Sequence, residues 1–285
     1  MDRPFRRPVV ILGAARSGTT LLGELLSRVP EVAYWVEPKY LWRYGAPGRK
    51  DDVRGASEAT PEVVGYIRRG FRRFLEREGK DRLLEKTPTN CFRVPFVREV
   101  LPEAFLVHVV RDGRDVALSA LGKWQTRPDR SALVRRARSF EIPLREVVHY
   151  LPDFARDVIG RTLVPRRGLI WGPRFPGMEA FRKEHTLLET CAAQWARSVE
   201  AVEEGLRPIP EEDRMEVRYE DLVRDPGGVL GPLLDRAALE GREEVLARAR
   251  EVVTPGSVGR WREAEEEVRA VLPLMQDTLG RLGYG

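Results

Sequence analysis

The sequence predicts an α/β fold: a P-loop-containing parallel β-sheet flanked by helices on both faces, in a single domain with a helical insertion. Three observations predict it. The apolar run Val9–Leu12 leads into the loop Gly13-Ala14-Ala15-Arg16-Ser17-Gly18-Thr19-Thr20, and a helical pattern begins at Leu21. Short apolar runs recur at Val32–Trp35, Leu83–Leu84, Phe105–Val110 and Met215–Tyr219, with long helical patterns between several of them. That alternation is the mark of βαβ units and a parallel sheet. Finally, the run ending at Val110 stops at Arg111, turns through Asp112-Gly113 and opens another helical pattern.

Each element has a local reason. The two glycines of the first loop are five residues apart, as in a phosphate-cradling loop, but Thr19 stands where a triphosphate-binding loop has lysine. Backbone amides and a helix N-terminus can still wrap an anion, with Arg16 as the fixed cation. Over Pro61–Gly79, Val64, Ile67, Phe71, Phe74 and Leu75 share one helical stripe, and proline suits the first turn. Arg68, Arg69, Arg72 and Arg73 read there as a solvated face rather than a nucleic-acid patch. A further helix is expected around Leu187–Glu203 with Trp195 on its apolar side. Between them, Ser131–Glu146 has helical stretches, and Ile170–Gly177 is turn-rich and aromatic. The whole of 1–285 reads as one domain, with the insertion over roughly 124–186.

Composition bounds the partners. The 285 residues are 42% hydrophobic and 33% charged, with a net charge of +5, the profile of a globular chain able to bury a core. The basic excess fits a small anionic ligand, and no nucleic-acid-binding signature accompanies it, so no nucleic-acid partner is expected. The apolar stretch after Pro8 is too short for a membrane span or a signal segment. Cys91 and Cys191 have no metal-ligand spacing and read as reduced core residues, which points to the cytoplasm. Oligomeric state is left open.

Four segments carry chemistry. The first is the loop Gly13–Thr20. The second is Arg111 with Ser119, eight residues on, placed where ligands sit outside the carboxyl ends of strands. The third is Glu85-Lys86-Thr87-Pro88, where Pro88 turns Lys86 towards the same edge, although a lone lysine also reads as a surface charge. The fourth is Thr254–Arg262, in which Gly256, Ser257, Gly259 and Arg260-Trp261-Arg262 suit a flexible cover or an ordinary surface turn. His108 lies in an apolar run and reads as core, and neither His149 nor His185 falls in a motif.

Together these segments resemble the sulfotransferase superfamily, whose members use 3′-phosphoadenosine 5′-phosphosulfate (PAPS). The resemblance runs from Val9 to about Arg262 and is weakest in the insertion. It implies that Arg16, Ser17, Gly18, Thr19 and Thr20 hold the 5′-phosphosulfate, and Arg111 and Ser119 the 3′-phosphate. It implies too that Tyr219, in Tyr219-Glu220-Asp221-Leu222, lines the adenine site, and that Gly256, Gly259 and Trp261 belong to a lid over roughly 254–262. Members with a Lys-Thr-His motif use its histidine as base; here Pro88 takes that place. Arg-Lys before the first lid glycine is replaced by Thr254-Pro255, with Arg260 as the substitute charge.

The base is therefore sought in a glutamate, as in protein-tyrosine and some carbohydrate members. Glu37, in Tyr34-Trp35-Val36-Glu37-Pro38, is the candidate, and aromatic surroundings lead one to expect a raised proton affinity; a salt bridge to a nearby arginine is the alternative. The expected reaction moves a sulfuryl group from PAPS to a hydroxyl, less often an amine, of a small-molecule, lipid or carbohydrate acceptor, without a metal. Glu37 takes the proton, Lys86 neutralises the leaving oxygen, Arg16 holds the anion and Ser257 adds a donor from the lid. A P-loop kinase or NTPase, or a non-catalytic nucleotide- or RNA-binding module, is the alternative. The aromatic segments Trp35–Tyr44 and Trp171–Phe175 suit an apolar or sugar-like acceptor.

Overall fold

A computed structural model of the protein describes residues 5–46, 48–125 and 171–285. Its strands are β1 (Val9–Leu12), β2 (Val32–Val36), β3 (Arg82–Lys86), β4 (Phe105–Val110) and β5 (Arg214–Arg218). They form a five-stranded sheet in the order β2-β3-β1-β4-β5, every pair parallel. The helices are α1 (Thr19–Leu26), α2 (Lys39–Trp42), α3 (Pro61–Glu78), α4 (Val94–Val100), α5 (Gly113–Gln125) and α6 (Met178–Glu184). They continue as α7 (Leu187–Leu206), α8 (Tyr219–Arg224), α9 (Pro226–Ala237), α10 (Arg242–Val252), α11 (Glu265–Val271) and α12 (Gln276–Arg281).

Helices cover both faces. Val9, Ile11, Phe105, Val107 and Val109 pack with residues of α1, α9 and α10. Val10, Leu12, Leu83 and Leu106 lie with residues of α3, α4 and α7 on the other side. Strands buried on both faces read as unbroken apolar runs, which is why β1 and β4 were legible. Each aliphatic side chain so buried contributes about 1.5–3 kcal/mol.

The long helices follow their signals. α3 starts at Thr60, whose hydroxyl accepts the Val63 amide at 3.4 Å, and stops at Gly79 in the left-handed conformation. Its arginines divide: Arg69 and Arg73 are exposed, whereas Arg68 is buried and grips Glu103 through two hydrogen bonds of 2.8 and 3.1 Å. α7 opens with a capping box between Thr186 and Glu189 and buries Trp195.

β3 is longer than its apolar pair implies. Leu83 and Leu84 sit inside a five-residue strand that also buries Arg82, Glu85 and Lys86. Arg82 donates to the carbonyls of Ala237 and Ala238 at 2.7 and 2.9 Å, capping the C-terminal end of α9. Tyr219, expected to end a strand, instead opens α8. His108 is core in β4, where burial pushes its pKa down to about 4. Both cysteines are free and buried.

Chain order and spatial order together place the site. After β1 the chain moves towards β2, and after β4 it moves towards β5 on the opposite side. The carboxyl ends of β1 and β4 therefore flank a switch point, where open α/β sheets bind ligands. Among the described residues no helix is long and apolar enough to cross a membrane. The helical stretches expected around Ser131–Glu146, and His149, lie outside the described residues, as does most of the expected insertion.

Candidate functional site

The glycine loop leaves β1 at the switch point. A Cβ on Gly13 would lie 2.6 Å from the Val109 carbonyl oxygen, so the loop approaches β4 as only glycine allows. Gly18 has φ +97°, and a Cβ there would sit 2.3 Å from the Tyr219 ring. Thr19, Thr20 and Leu21 open α1, so their amides have no intrahelical acceptor, and no side chain caps them. Ser17 is buried with its hydroxyl oxygen unpartnered. Amides without acceptors and an orphaned hydroxyl fit an anionic oxygen cluster. Arg16, at the loop's tip, has φ 78°, a conformation that costs a non-glycine residue roughly 1–3 kcal/mol.

A cavity of about 610 Å³ opens above this loop. Gly18, Thr19 and Thr20 line it together with Arg16, Arg111 and Ser119, and Tyr219, Ser257 and Arg260 line it too. Arg16 Nε donates to Ser119 Oγ at 3.0 Å. Arg111 donates to the carbonyl of Arg16 at 3.2 Å and to that of Ser257, and its guanidinium lies 4.4 Å from the centre of the Tyr219 ring. Tyr219 and Ser257 share a hydroxyl–hydroxyl hydrogen bond of 2.6 Å. Burial, then the neighbouring Arg111 charge, pushes the Arg16 pKa down. Two guanidiniums held close, mostly on neutral acceptors, favour an incoming anion.

Glu37 and Lys86 meet one another outside this cavity lining. Glu37 follows the last residue of β2 and Lys86 ends β3, the two strands being in register at Val36 and Lys86. Lys86, almost wholly buried, donates to Glu37 Oε1 at 2.9 Å, and Lys39 lies 3.0 Å from Oε2. The expected rise in Glu37's proton affinity is corrected here. Burial does push it up, but the two ammoniums outweigh burial and hold the pKa at about 2. The salt-bridge reading was sound in kind, although lysines rather than an arginine make it. Glu37 also has φ 55°, so both it and Arg16 are among the few described non-glycine residues with positive φ.

Other expectations change. Trp261 and Gly259 do not line the cavity: Trp261 stacks between Arg114 at 4.1 Å and Arg262 at 4.7 Å. Trp35 stacks on Phe74 at 4.5 Å, Trp42 is fully buried, and Tyr44 stacks on Tyr66 at 3.6 Å. Phe175 is core, and the carbonyls of Trp171 and Pro173 accept from Gln194. Those aromatics pack the protein rather than present an acceptor surface.

Sequence reasoning missed three polar residues. Asp115 accepts the backbone amides of Gly259 and Trp261, and only its spacing from Arg111 hinted at a role. Lys39 follows Glu37 by two positions, and no motif singled it out. Glu85 is fully buried and accepts from Trp42 Nε1 and Asn90 Nδ2, both at 2.9 Å, and from Thr87. Burial raises its pKa to about 7 against the pull of those donors.

Fold and site define an α/β protein with a cationic cavity on a glycine loop at the sheet's switch point. The chain belongs to the sulfotransferase family, whose model matches residues 8–157 and 173–244. It is similar to nodulation protein NoeE of Sinorhizobium fredii, with 30% identity over 129 residues, 40% of this chain and 31% of the relative. An uncharacterized protein of Aquifex aeolicus is 23% identical over 301 residues, covering 98% of this chain and 33% of the relative. The chain thus spans about a third of the length of the curated relatives it matches. Among solved structures, Mycobacterium avium sulfotransferase STF9 matches with TM-score 0.52 and 14% identity, covering 98% of this chain and 78% of its own. The sulfotransferase domain of the curacin biosynthetic pathway has TM-score 0.51 and 16% identity, covering 86% and 78%. That of the Synechococcus PCC 7002 olefin synthase has TM-score 0.50 and 20% identity, covering 92% and 89%. At such identities these structures establish the parallel-sheet fold.

Proposed function

We propose that this chain transfers a sulfuryl group from PAPS to a hydroxyl of a small-molecule, lipid or carbohydrate acceptor. One observation carries the reading: Arg16, Arg111 and Ser119, far apart in sequence, line one cavity over a loop with an orphaned buried hydroxyl at Ser17. When bound, PAPS would supply the sulfuryl group and depart as the 3′,5′-bisphosphate. Arg16, the Thr19 and Thr20 amides and Ser17 would hold anionic oxygens at the loop. Arg111 and Ser119 would hold a second phosphate, with Tyr219 forming the wall beside them.

Glu37 is ionised throughout the neutral range and can accept a proton, but its two lysines make it a weak base as it stands. Lys86 holds one of its oxygens and is the nearer of the two to β1 in the sheet. If Lys86 turns to a departing oxygen, Glu37 loses one of its two ammonium partners and its proton affinity rises as the acceptor's proton must leave. Lys86 would thus serve first as Glu37's partner and then as the leaving group's. The kinase alternative has no comparable support, because Thr19 occupies the triphosphate lysine's position and is itself buried.

The test has two parts. The adenosine bisphosphate should raise the melting temperature without added metal. Mass spectrometry of acceptor mixtures incubated with PAPS should reveal products heavier by one sulfuryl group. A chain stabilised by ATP with magnesium and indifferent to the bisphosphate would point to the kinase reading instead.

A further inference from the structure

The segment bearing Ser257, Gly259 and Trp261 is tied to the body of the protein from beneath. Asp115 stands in the first turn of α5 and is 3% exposed. Its Oδ2 accepts the Gly259 amide at 2.7 Å and its Oδ1 accepts the Trp261 amide at 2.9 Å. Both oxygens are committed to lid backbone in short, charge-assisted hydrogen bonds. Arg114, the preceding residue, carries the Trp261 ring on its guanidinium and is itself fixed by Asp112 and by the Tyr284 carbonyl.

The cavity end of the same segment is held differently. The Ser257 carbonyl accepts from Arg111, and its hydroxyl meets that of Tyr219. These are the groups that an arriving phosphate would engage. Gly259, with φ +73°, lies between this end and Trp261. The segment is therefore anchored on α5 through Gly259 and Trp261, with Asp115 and Arg260 also at the cavity wall, and has a displaceable end at Ser257.

We infer that Asp115 is a positioning residue that keeps the lid formed over the anion cavity before any ligand binds. Capture of a phosphorylated ligand then requires only the Ser257 end to yield, with most of the segment already ordered. A lid released from Asp115 would have to be ordered during binding, which weakens affinity without touching the reacting atoms. The ligand's identity rests on the donor assignment above; the latch itself does not. Asp115 also lies 3.8 Å from Arg111, so loss of affinity alone would not separate a latch from a disturbed arginine.

The decisive measurement uses the ligand-free protein. Trypsin can cut after Arg260 and Arg262, both within the latched segment. Wild type should be cut slowly there, Asp115→Asn faster and Asp115→Ala fastest, with circular-dichroism melts run alongside. Bisphosphate affinity by calorimetry should fall roughly tenfold in Asp115→Ala, about 1.4 kcal/mol, while kcat at saturating PAPS stays within about threefold of wild type. Should both variants fold poorly, hydrogen exchange in the wild-type chain decides. The Gly259 and Trp261 amides should be protected without ligand, and exchange as fast as an exposed loop amide overturns the latch. Equal trypsin cleavage in all three proteins overturns it too, as does a collapse of kcat at unchanged affinity. A wild-type chain that fails to bind the bisphosphate defeats the donor assignment, while cleavage and exchange still decide the latch.

Discussion

The anion cavity and the Glu37 pocket treat charge in opposite ways. In the cavity, Arg16 and Arg111 sit close together on carbonyls, a hydroxyl and an aromatic ring, with the Asp115 carboxylate 3.8 Å from Arg111. In the pocket, Glu37 closes with Lys86 and Lys39 at 2.9 and 3.0 Å. One region presents a positive field to its cavity; the other answers its own charges. Glu85, one residue before Lys86, sharpens the contrast. It meets mainly neutral donors, and burial raises its pKa to about 7, whereas Glu37 is held at about 2. Identical side chains diverge because ammonium groups offset desolvation and neutral donors do so only in part.

The largest expected effect tests the pocket. Glu37→Gln should lower kcat by about 10²–10⁴, the usual worth of a general base, while calorimetry finds bisphosphate affinity unchanged. Near-normal turnover would move the base elsewhere. Next comes the cavity: Arg111→Ala or Arg16→Ala should weaken bisphosphate binding about ten- to a hundredfold, each losing hydrogen bonds to an anion. If affinity is retained, the phosphate does not lie there.

Lys39→Ala should have a smaller effect. Removing that ammonium lets Glu37's pKa rise, so the acid limb of the kcat/KM profile should move up by roughly one pH unit. An unmoved limb would mean that Glu37 does not govern it.

The smallest effect concerns stability. Glu85's folded pKa of about 7 exceeds its ordinary 4.5, so the folded chain holds a proton that the unfolded chain has released between those values. Its contribution therefore falls as pH rises through that window. Glu37 acts in the opposite sense: its contribution is present above 4.5 and is lost as pH falls towards 2. Urea melts of Glu85→Gln should show a flatter profile from pH 5 to 8. Asn90, whose buried Oδ1 has no partner, can turn to accept from the new amide. A profile as steep as wild type would show that another group titrates.

Legibility followed chemistry. β1 and β4 were clear because both faces are buried and every residue but His108 is apolar. β3 was half hidden because Arg82, Glu85 and Lys86 are buried against polar partners outside the strand, some of them, such as Ala237, Trp42 and Glu37, from distant parts of the chain. The aromatics at Trp35, Trp42 and Phe175, which the sequence left open between packing and binding, were undecided for the converse reason. A large ring carries the same local signal in a core as in a binding site, and only its neighbours distinguish the two.

By itself the sequence determined the α/β class, the glycine loop with Arg16 and the eight-residue spacing of Arg111 and Ser119, whereas Glu37 was singled out only by the family resemblance. The first three rest on local periodicity and spacing, which the chain carries within a few residues. Only the tertiary structure decided that Lys39 joins Lys86 on Glu37, and that Asp115 reaches across the chain to the Gly259 and Trp261 amides. Ion pairing and hydrogen bonding depend on distance in space, and the sheet order sets those distances. The same order brings a loop after β1 and an arginine after β4 to one cavity.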